Sequence, residues 1–587
     1  MVGYSFTWLD YAILCSLLGC SLMIGVYFGF RKKRKERDDY ILGGKTNILA
    51  VVASLIASNV SGVLLVGFPS DIYQFGAMYI WSPVSYTVAI FCAMFITMPV
   101  LVNLETASIF YYLEVRFTRK VRLIASMLWV IRAVLFCPIT LYVPSILLEQ
   151  MTGFSGKIIS IVTCLICVFY TTLGGFNAVV WTDALQTIVM NVCLIVVLII
   201  GFNANGGLGT VWSESVKGGR LDILRFNLDL TTRESIYTIV FSYSLMLMMP
   251  ITLGQPTLQR LKSLRSYEDA HKAMGLLLLG LIAMTVFVVL IGLTIYSRYS
   301  HCDPLLSYKI KNYDQIVAYF VMDTAGQVFG LPGLFIAGIF SGGLSSLSTS
   351  FNSLQAILYC DFLEPVLSPQ MNEKHRDTIL KIIVLLAGGV CVILTYLIQN
   401  LGGILPTMTS FFGIFGGPVV ALYTLGLVFP KSNAAGALVG SATAVVFVVW
   451  LFVGHQYFKY KGLIKDHLKP ISIENCESII NSTITLLKQE EEEVFVLYRI
   501  NYWYYTLISF LITITVGYIA SLLTRKDGDI PRSELISPWF RRFVPQENRM
   551  PQRLMDPALE PLECLKSSQN IPLESFELSQ DKCRFGA

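Results

Sequence analysis

Runs of about twenty apolar residues, each closed by a short polar or charged stretch, recur along the chain as far as about residue 524, and each is long enough to cross a bilayer as a helix. The first extends from about Leu9 to Phe30 and ends at Arg31-Lys32-Lys33-Arg34-Lys35-Glu36-Arg37. Others are predicted near Ile48 to Ser70, Met78 to Val102, Leu123 to Leu148, Ile158 to Leu173, Ala178 to Phe202, Ile236 to Leu258 and Ala273 to Tyr296. Beyond these come a serine-rich run that begins near Leu331, then Leu380 to Ile398, Pro406 to Val428, Ala434 to Phe452 and Tyr502 to Leu523. The pattern predicts an all-α polytopic membrane protein of about thirteen spans.

Three runs are interrupted. The second holds Ser54, Ser58, Asn59, Ser61, Gly62 and Gly67-Phe68-Pro69, the seventh holds Leu253-Gly254-Gln255-Pro256, and a third such segment covers Gly413 to Pro418. A polar, glycine-bearing middle predicts a discontinuous helix whose freed backbone groups must be satisfied by protein or ligand. The first two breaks lie five spans apart, the spacing of two inverted five-helix repeats.

The serine-rich run contains Phe340-Ser341-Gly342-Gly343-Leu344-Ser345-Ser346-Leu347-Ser348-Thr349-Ser350-Phe351-Asn352-Ser353. On a helix, Ser341, Ser345, Ser348 and Asn352 form one stripe, and Gly342, Ser346, Thr349 and Ser353 form a second beside it. Hydroxyls in a membrane helix are costly unless something polar faces them. Two readings are open: the hydroxyls ligate a dehydrated hard cation, or they bond back to helix carbonyls and join helices.

Composition narrows the class. Of 587 residues 54% are hydrophobic and only 14% charged, with mean hydropathy +0.63, far from the roughly 25% charged of soluble domains. The net charge of +5 matters through its placement: basic clusters fall in alternate loops, which predicts an extracellular N-terminus and a cytoplasmic C-terminus. The first run meets a basic stop and reads as a span, not a cleaved signal. On this topology the sequon at Asn481-Ser482-Thr483 lies outside, open to glycosylation. Of thirteen Cys, Cys302 and Cys476 alone fall in outer loops, where one disulfide can form. All five His lie in or beside loops, and neither a nucleophile elbow nor a phosphate loop is present, which argues against an enzyme.

The stretch Tyr170-Thr171-Thr172-Leu173-Gly174-Gly175-Phe176-Asn177-Ala178-Val179-Val180-Trp181-Thr182-Asp183-Ala184-Leu185-Gln186 resembles the signature of the sodium/solute symporter family. The resemblance continues through Gly67 to Tyr73, Cys302-Asp303-Pro304-Leu305 and Leu331 to Pro365, and is strongest to the branch of sodium-coupled monocarboxylate, multivitamin and iodide transporters. It implies a LeuT-type fold, with repeats in residues 47–203 and 204–428. These are preceded by a first span and basic loop (1–46), and followed by two spans with a glycosylatable outer loop (429–524) and a disordered cytoplasmic tail (525–587). It also implies a sodium site made by the carbonyls of Ala57, Val60 and Gly342 with the hydroxyls of Ser345 and Ser346, and in some relatives a second at Asp183, Ser345, Ser348 and Thr349. For Asp183 the residues alone leave three roles open: a cation ligand, the partner of a basic residue, or a helix cap.

The expected substrate region lies at the two breaks, with Leu64, Phe75, Arg132 and Gln255 as candidate contacts and Tyr79 and Trp81 near its outer end. A guanidinium inside an apolar span is expensive, so Arg132 either binds a carboxylate bidentately or pairs with an acid. Leu64, Arg132 and Gly254 stand where relatives in this branch usually have other polar residues, so the substrate half of the site departs from the pattern. The expected function is sodium-coupled import of a small organic anion, a monocarboxylate or carboxylate vitamin, across the plasma membrane, with sodium as the coupling ion and no cofactor or nucleic-acid partner. The alternatives are another solute (iodide, sugar, choline) or a transporter-shaped sodium leak channel or sensor.

Overall fold

The computed structural model describes residues 6–31, 46–102, 104, 108–233, 235–367, 372–398, 403–464, 468–474, 476, 494–525 and 531–543. Among them every regular element is helical, and ten helices are long and apolar enough to cross a membrane. Two further pairs pass that test only together, across sharp bends.

In chain order the membrane elements are α1 (Trp8–Arg31), α2 (Ile48–Asn59), α3 (Gly62–Phe75), α4 (Met78–Leu101), α5 (Arg119–Thr152), α6 (Gly156–Ala204) and α7 (Thr238–Thr252). They continue as α8 (Gln255–Lys262), α9 (Tyr267–Tyr299), α10 (Leu331–Leu363), α11 (Lys374–Leu397), α12 (Ile404–Val428), α13 (Ala434–Tyr460) and α14 (Tyr502–Thr524). The α2/α3 pair is bent by 51° and the α7/α8 pair by 45°, so two of the three glycine-bearing segments are sharp breaks, whereas the third, Gly413 to Pro418, stays inside the continuous helix Ile404–Val428, which it only widens to a π turn at Phe412–Gly416. The expected thirteen spans depend on α6. Its 49 residues are about twice what a bilayer needs, and they are interrupted at Gly175 (φ 60°, ψ −157°), a backbone that only glycine adopts cheaply. Helix α1 fits against this elbow: a Cβ on Gly25 would stand 2.5 Å from the Tyr170 Cβ, and one on Gly174 would stand 3.2 Å from the Gly25 carbonyl oxygen.

α10 is the central rod, packed against α1, α2, α3, α5, α6 and α11, with nearly all of its side chains buried. Its small residues allow that crowding. A Cβ on Gly333 would stand 2.4 Å from the Asp10 Cα, and one on Gly338 would stand 2.5 Å from the Cys193 sulfur. The start of α10 is capped from outside the element, because Asp10 Oδ1 accepts the Gly333 N–H at 2.8 Å.

The loops at one end are tied by the Cys302–Cys476 disulfide (Cα–Cα 5.2 Å) and by Asp303, which accepts the hydroxyls of Tyr73 (2.7 Å) and Tyr313 (3.1 Å). The basic stop at 32–37 and the sequon Asn481 lie outside the described residues. Part of the tail departs from the expectation of disorder: residues 531–543 lie against the helices, with Leu535 and Ile536 buried. Tyr112 donates to the Leu535 carbonyl at 2.9 Å, and the Ser537 N–H donates to Leu427 at 3.0 Å. An adjacent apolar pair supplies the burial that an all-polar tail would lack.

Candidate substrate and cation site

Both breaks open toward the same interior space. The α2/α3 break leaves Val60 extended (φ −103°, ψ 91°), so the last carbonyls of α2 have no following turn to accept from. Gly342 of α10 lies directly against it: a Cβ there would stand 3.1 Å from the Gly62 nitrogen and 3.2 Å from the Ser61 carbonyl carbon. The break at Ala57 to Gly62 and the serine helix, remote in sequence, are therefore one locus.

The hydroxyls of α10 divide into two groups. Ser341 donates to the Ala337 carbonyl at 2.8 Å and Ser348 to the Ser345 carbonyl at 3.1 Å, the back-bonding common to helical serines, which uses the proton and leaves the lone pairs. Ser345 and Ser346 do not: both are buried (1% and 2% exposed), and neither Oγ has a hydrogen-bond partner among the described residues. Two orphaned hydroxyls side by side in a membrane helix require an explanation.

On the side of Ser345 toward α6 and α8 lies a charged node. Asp183 is fully buried, and its Oδ2 accepts from Arg260 Nη2 (2.8 Å) and from Ser54 Oγ (2.6 Å). Arg260 also donates to Ser54 Oγ (2.6 Å) and Thr349 Oγ1 (2.7 Å). Of the open roles for Asp183, pairing with a basic residue is the one observed. Of the second expected cation set, Thr349 and one Asp183 oxygen are engaged by Arg260 and the Ser348 hydroxyl is turned back on its helix. Asp183 Oδ1 and Ser345 Oγ remain without a formed hydrogen bond among the described residues. From sequence Arg260 belongs with Lys262 and Arg265 in a basic inner loop; here it is 2% exposed inside the protein. The signal that could have found it is Asp183 itself, since a carboxylate at this depth demands a cation within reach.

A cavity of about 110 Å³ lies between the breaks. Ser61 lines it at the start of α3, and Gly254, Pro256 and Thr257 at the start of α8. Two half-helix N-termini, with the positive partial charge of their first turns, thus face one space. Ser346 and Thr349 form one side, and Leu64, Phe68, Phe136, Met408 and Phe412 make much of the remainder apolar. Arg132 projects into it from α5: its guanidinium lies 4.5 Å from the Phe412 ring centroid and 5.6 Å from that of Trp129. No carboxylate pairs with it among the described residues, and its Nε has no partner.

Two other candidate contacts lie elsewhere. Gln255 is fully buried, its Oε1 accepts the Ile109 N–H at 2.8 Å, and it does not line this cavity. Phe75 lines a separate, more polar cavity of about 310 Å³, where the Arg233 guanidinium lies 3.6 Å from its ring centroid and pairs with Asp71. Tyr79 joins Tyr86 and Tyr243 in a cluster of three hydroxyls 3.0–3.4 Å apart, and Trp81 Nε1 donates to Ile223 at 2.9 Å.

Residues 40–444 match the model of the sodium:solute symporter family. The chain belongs to this family. Within the family it is 34% identical over 526 residues to the sodium-coupled monocarboxylate transporter 2 of Danio rerio, covering 88% of this chain and 84% of that protein. It is 33% identical to the putative sodium-dependent multivitamin transporter of Drosophila melanogaster over 521 residues, covering 88% of this chain and 86% of that one. In structure it is similar to a Na⁺-coupled sialic acid symporter solved in a substrate-bound outward-open state (TM-score 0.72, 21% identity), covering 89% of this chain and 99% of that one. This symporter is thus a multi-pass membrane transporter with the broken-helix fold of that protein.

Proposed function

We propose that this symporter imports a small organic anion bearing a carboxylate, a monocarboxylate or carboxylate vitamin, coupled to sodium entry across the plasma membrane. The observation that carries this reading is Arg132: a buried guanidinium, without an acid partner among the described residues, facing a mostly apolar cavity onto which two half-helix N-termini open. A fixed positive group in a dry, aromatic-walled space favours an anion with an apolar body. Relatives named as monocarboxylate and multivitamin transporters support the same class.

Sodium is assigned to the carbonyls of Ala57, Val60 and Gly342 and the hydroxyls of Ser345 and Ser346, with Asp183 Oδ1 beside Ser345 as the nearest formal charge. Five neutral oxygens suit a hard monovalent cation held weakly enough to leave. The cation braces α2 against α10 while the anion bridges α5, α3 and α8, so both occupants favour a closed centre. Each sodium ion that crosses the potential contributes about 2.3 kcal/mol per 100 mV, which drives accumulation of the anion. The N-terminus is placed outside and the C-terminus inside, with alternating access proceeding around the fixed centre.

Radiolabelled uptake of lactate, pyruvate, butyrate, biotin, pantothenate, iodide and glucose, with sodium or choline outside, tests the proposal. Sodium-dependent accumulation confined to the carboxylates is expected. Uptake of glucose or iodide instead, or sodium current without any added solute, would overturn it.

A further inference from the structure

Arg260 joins more elements of this fold than any other side chain in the node. It lies on α8 and donates to Ser54 on α2, Asp183 on α6 and Thr349 on α10, with a fourth hydrogen bond to the Pro256 carbonyl of its own helix at 3.1 Å. α2 and α8 are halves of the two broken pairs, whereas α6 and α10 are long rods. One guanidinium therefore straps both broken helices to the scaffold below their breaks, on the cytoplasmic side in the proposed orientation.

The strap leaves an asymmetry. Asp183 Oδ2 accepts two hydrogen bonds, whereas Oδ1, equally buried, has no formed hydrogen bond among the described residues; the Ser345 hydroxyl, likewise without one, interacts with this carboxylate. A carboxylate offers about four acceptor positions, and a buried oxygen left with none filled is costly. Asp183 is thus shared unequally: one oxygen belongs to a resident cation, and the other faces the hydroxyl assigned to the sodium site.

We propose that Arg260 is a built-in competitor for the coupling ion, a positioning residue that draws on the same Asp183 charge that sodium draws on at Ser345. A sodium ion near Ser345 polarises Asp183 toward Oδ1 and repels the guanidinium on Oδ2, which loosens the strap between α8, α2 and the rods. When sodium leaves, Arg260 reclaims the full charge and the strap re-forms. Ion occupancy and the closure of this end are then linked through one carboxylate. Like charges that share a buried counter-ion weaken one another. This inference rests on the proposed sodium site, and it adds a direction of effect that the site alone does not have.

The test uses the purified full-length chain, with sodium chloride titrated against choline chloride at constant ionic strength and sodium-dependent thermal stabilisation read together with uptake. Asp183→Asn leaves Arg260 facing the site without its counter-charge, so the half-saturating sodium concentration should rise by about tenfold or more. The double variant Asp183→Asn, Arg260→Gln removes the competitor as well, keeps a hydrogen-bonding pair of similar shape, and should recover much of that loss. Arg260→Lys, which keeps the charge and loses the fork, should stay near the wild-type half-saturation. A pair that only holds the fold would lower the amount of folded protein in the single variants and leave half-saturation unchanged, and that result overturns the inference. A double variant as poor in sodium binding as Asp183→Asn also overturns it. Wild-type protein that shows neither sodium-dependent uptake nor sodium-dependent stabilisation refutes the sodium site and the inference together. Normal wild-type coupling with unmoved variants refutes only the inference.

Discussion

The guanidinium of Arg132 faces the ring of Phe412 at 4.5 Å, so this charge in the cavity wall is held by aromatic faces, with no acid paired to it among the described residues. An arginine stacked this way keeps its donor edge for a ligand. Replacing it with glutamine keeps a polar side chain but removes the charge. Arg132→Gln should raise the half-saturating concentration of a carboxylate substrate by about 10- to 100-fold, the loss of a charge-assisted hydrogen bond worth roughly 1.5–3 kcal/mol. A neutral analogue should be affected far less. Equal losses for both, measured in competition uptake, would make Arg132 a packing residue.

Ser345 and Ser346 give the second expectation. Their hydroxyls have no formed hydrogen bond among the described residues, whereas Ser341 and Ser348 bond to their own helix, so truncation should have opposite consequences in the two groups. Ser345→Ala with Ser346→Ala should abolish sodium dependence while protein still reaches the cell surface, because neither hydroxyl makes a formed hydrogen bond among the described residues. Ser341→Ala should leave the sodium titration near wild type. Uptake against sodium concentration, normalised to surface biotinylation, decides it. An unchanged sodium curve in the double variant would remove these residues from the site.

The parts of this architecture legible in the sequence were those written in local chemistry. Glycine and polar residues inside apolar runs marked the breaks at Val60 and Gly254, and helical spacing put the serines on adjacent stripes of α10. What could not be read was helix rotation and long-range pairing. Gln255 stands at the second break, yet its Oε1 is taken up by the Ile109 N–H, and Phe75 ends α3 a full helix length beyond the first break, beneath Arg233. Arg260 and Lys262 look alike in a basic stretch, but the short α8 folds Arg260 inward onto an acid 77 residues away, while the Lys262 ammonium reaches the Leu104 carbonyl. Nothing local distinguishes a loop charge from a buried one when the partner is that remote.

Gly342 provides a steric test of the contact between the broken pair and the rod. Alanine there adds a methyl 3.1 Å from the Gly62 nitrogen and 3.2 Å from both the Ser61 carbonyl carbon and Leu65 Cδ1. Two of those neighbours are backbone and cannot rotate away, so the break must move off α10. Overpacking of this kind costs about 1–3 kcal/mol. Because it falls between the proposed ligand groups, Gly342→Ala should weaken sodium activation by roughly tenfold. Gly275 in α9 has open space around its would-be Cβ, so Gly275→Ala is the matched control and should be neutral or slightly stabilising. Similar sodium curves for the two variants would show that this contact is not part of the site.

Outside the spans, Asp314 should make transport sensitive to acid. It precedes the short helix Ile316–Ala325, lines the more polar cavity with Asp71, Arg233 and Lys459, and its Oδ2 accepts the Ile404 N–H at the start of α12 (3.3 Å). Burial pushes its carboxyl up to about 6; the Ile404 N–H opposes that shift, and the neighbouring charge of Asp71 adds to it. A carboxyl raised above its usual value of 3.8 is held more tightly in its protonated form by the folded arrangement than by a loosened one. The cost of burying its charge therefore applies above pH about 6, and is relieved as pH falls through that value toward the ordinary carboxyl range. Acid thus favours the packed outer segments, which must separate to admit solute in the proposed orientation. Uptake of a substrate that stays ionised, such as pyruvate, should decline as the outside pH is lowered through about 6, and Asp314→Asn should flatten that decline. The Asp71–Arg233 pair is unaltered in this variant, so a decline that persists in Asp314→Asn assigns the acid sensitivity to another group and removes Asp314 from the outer closure.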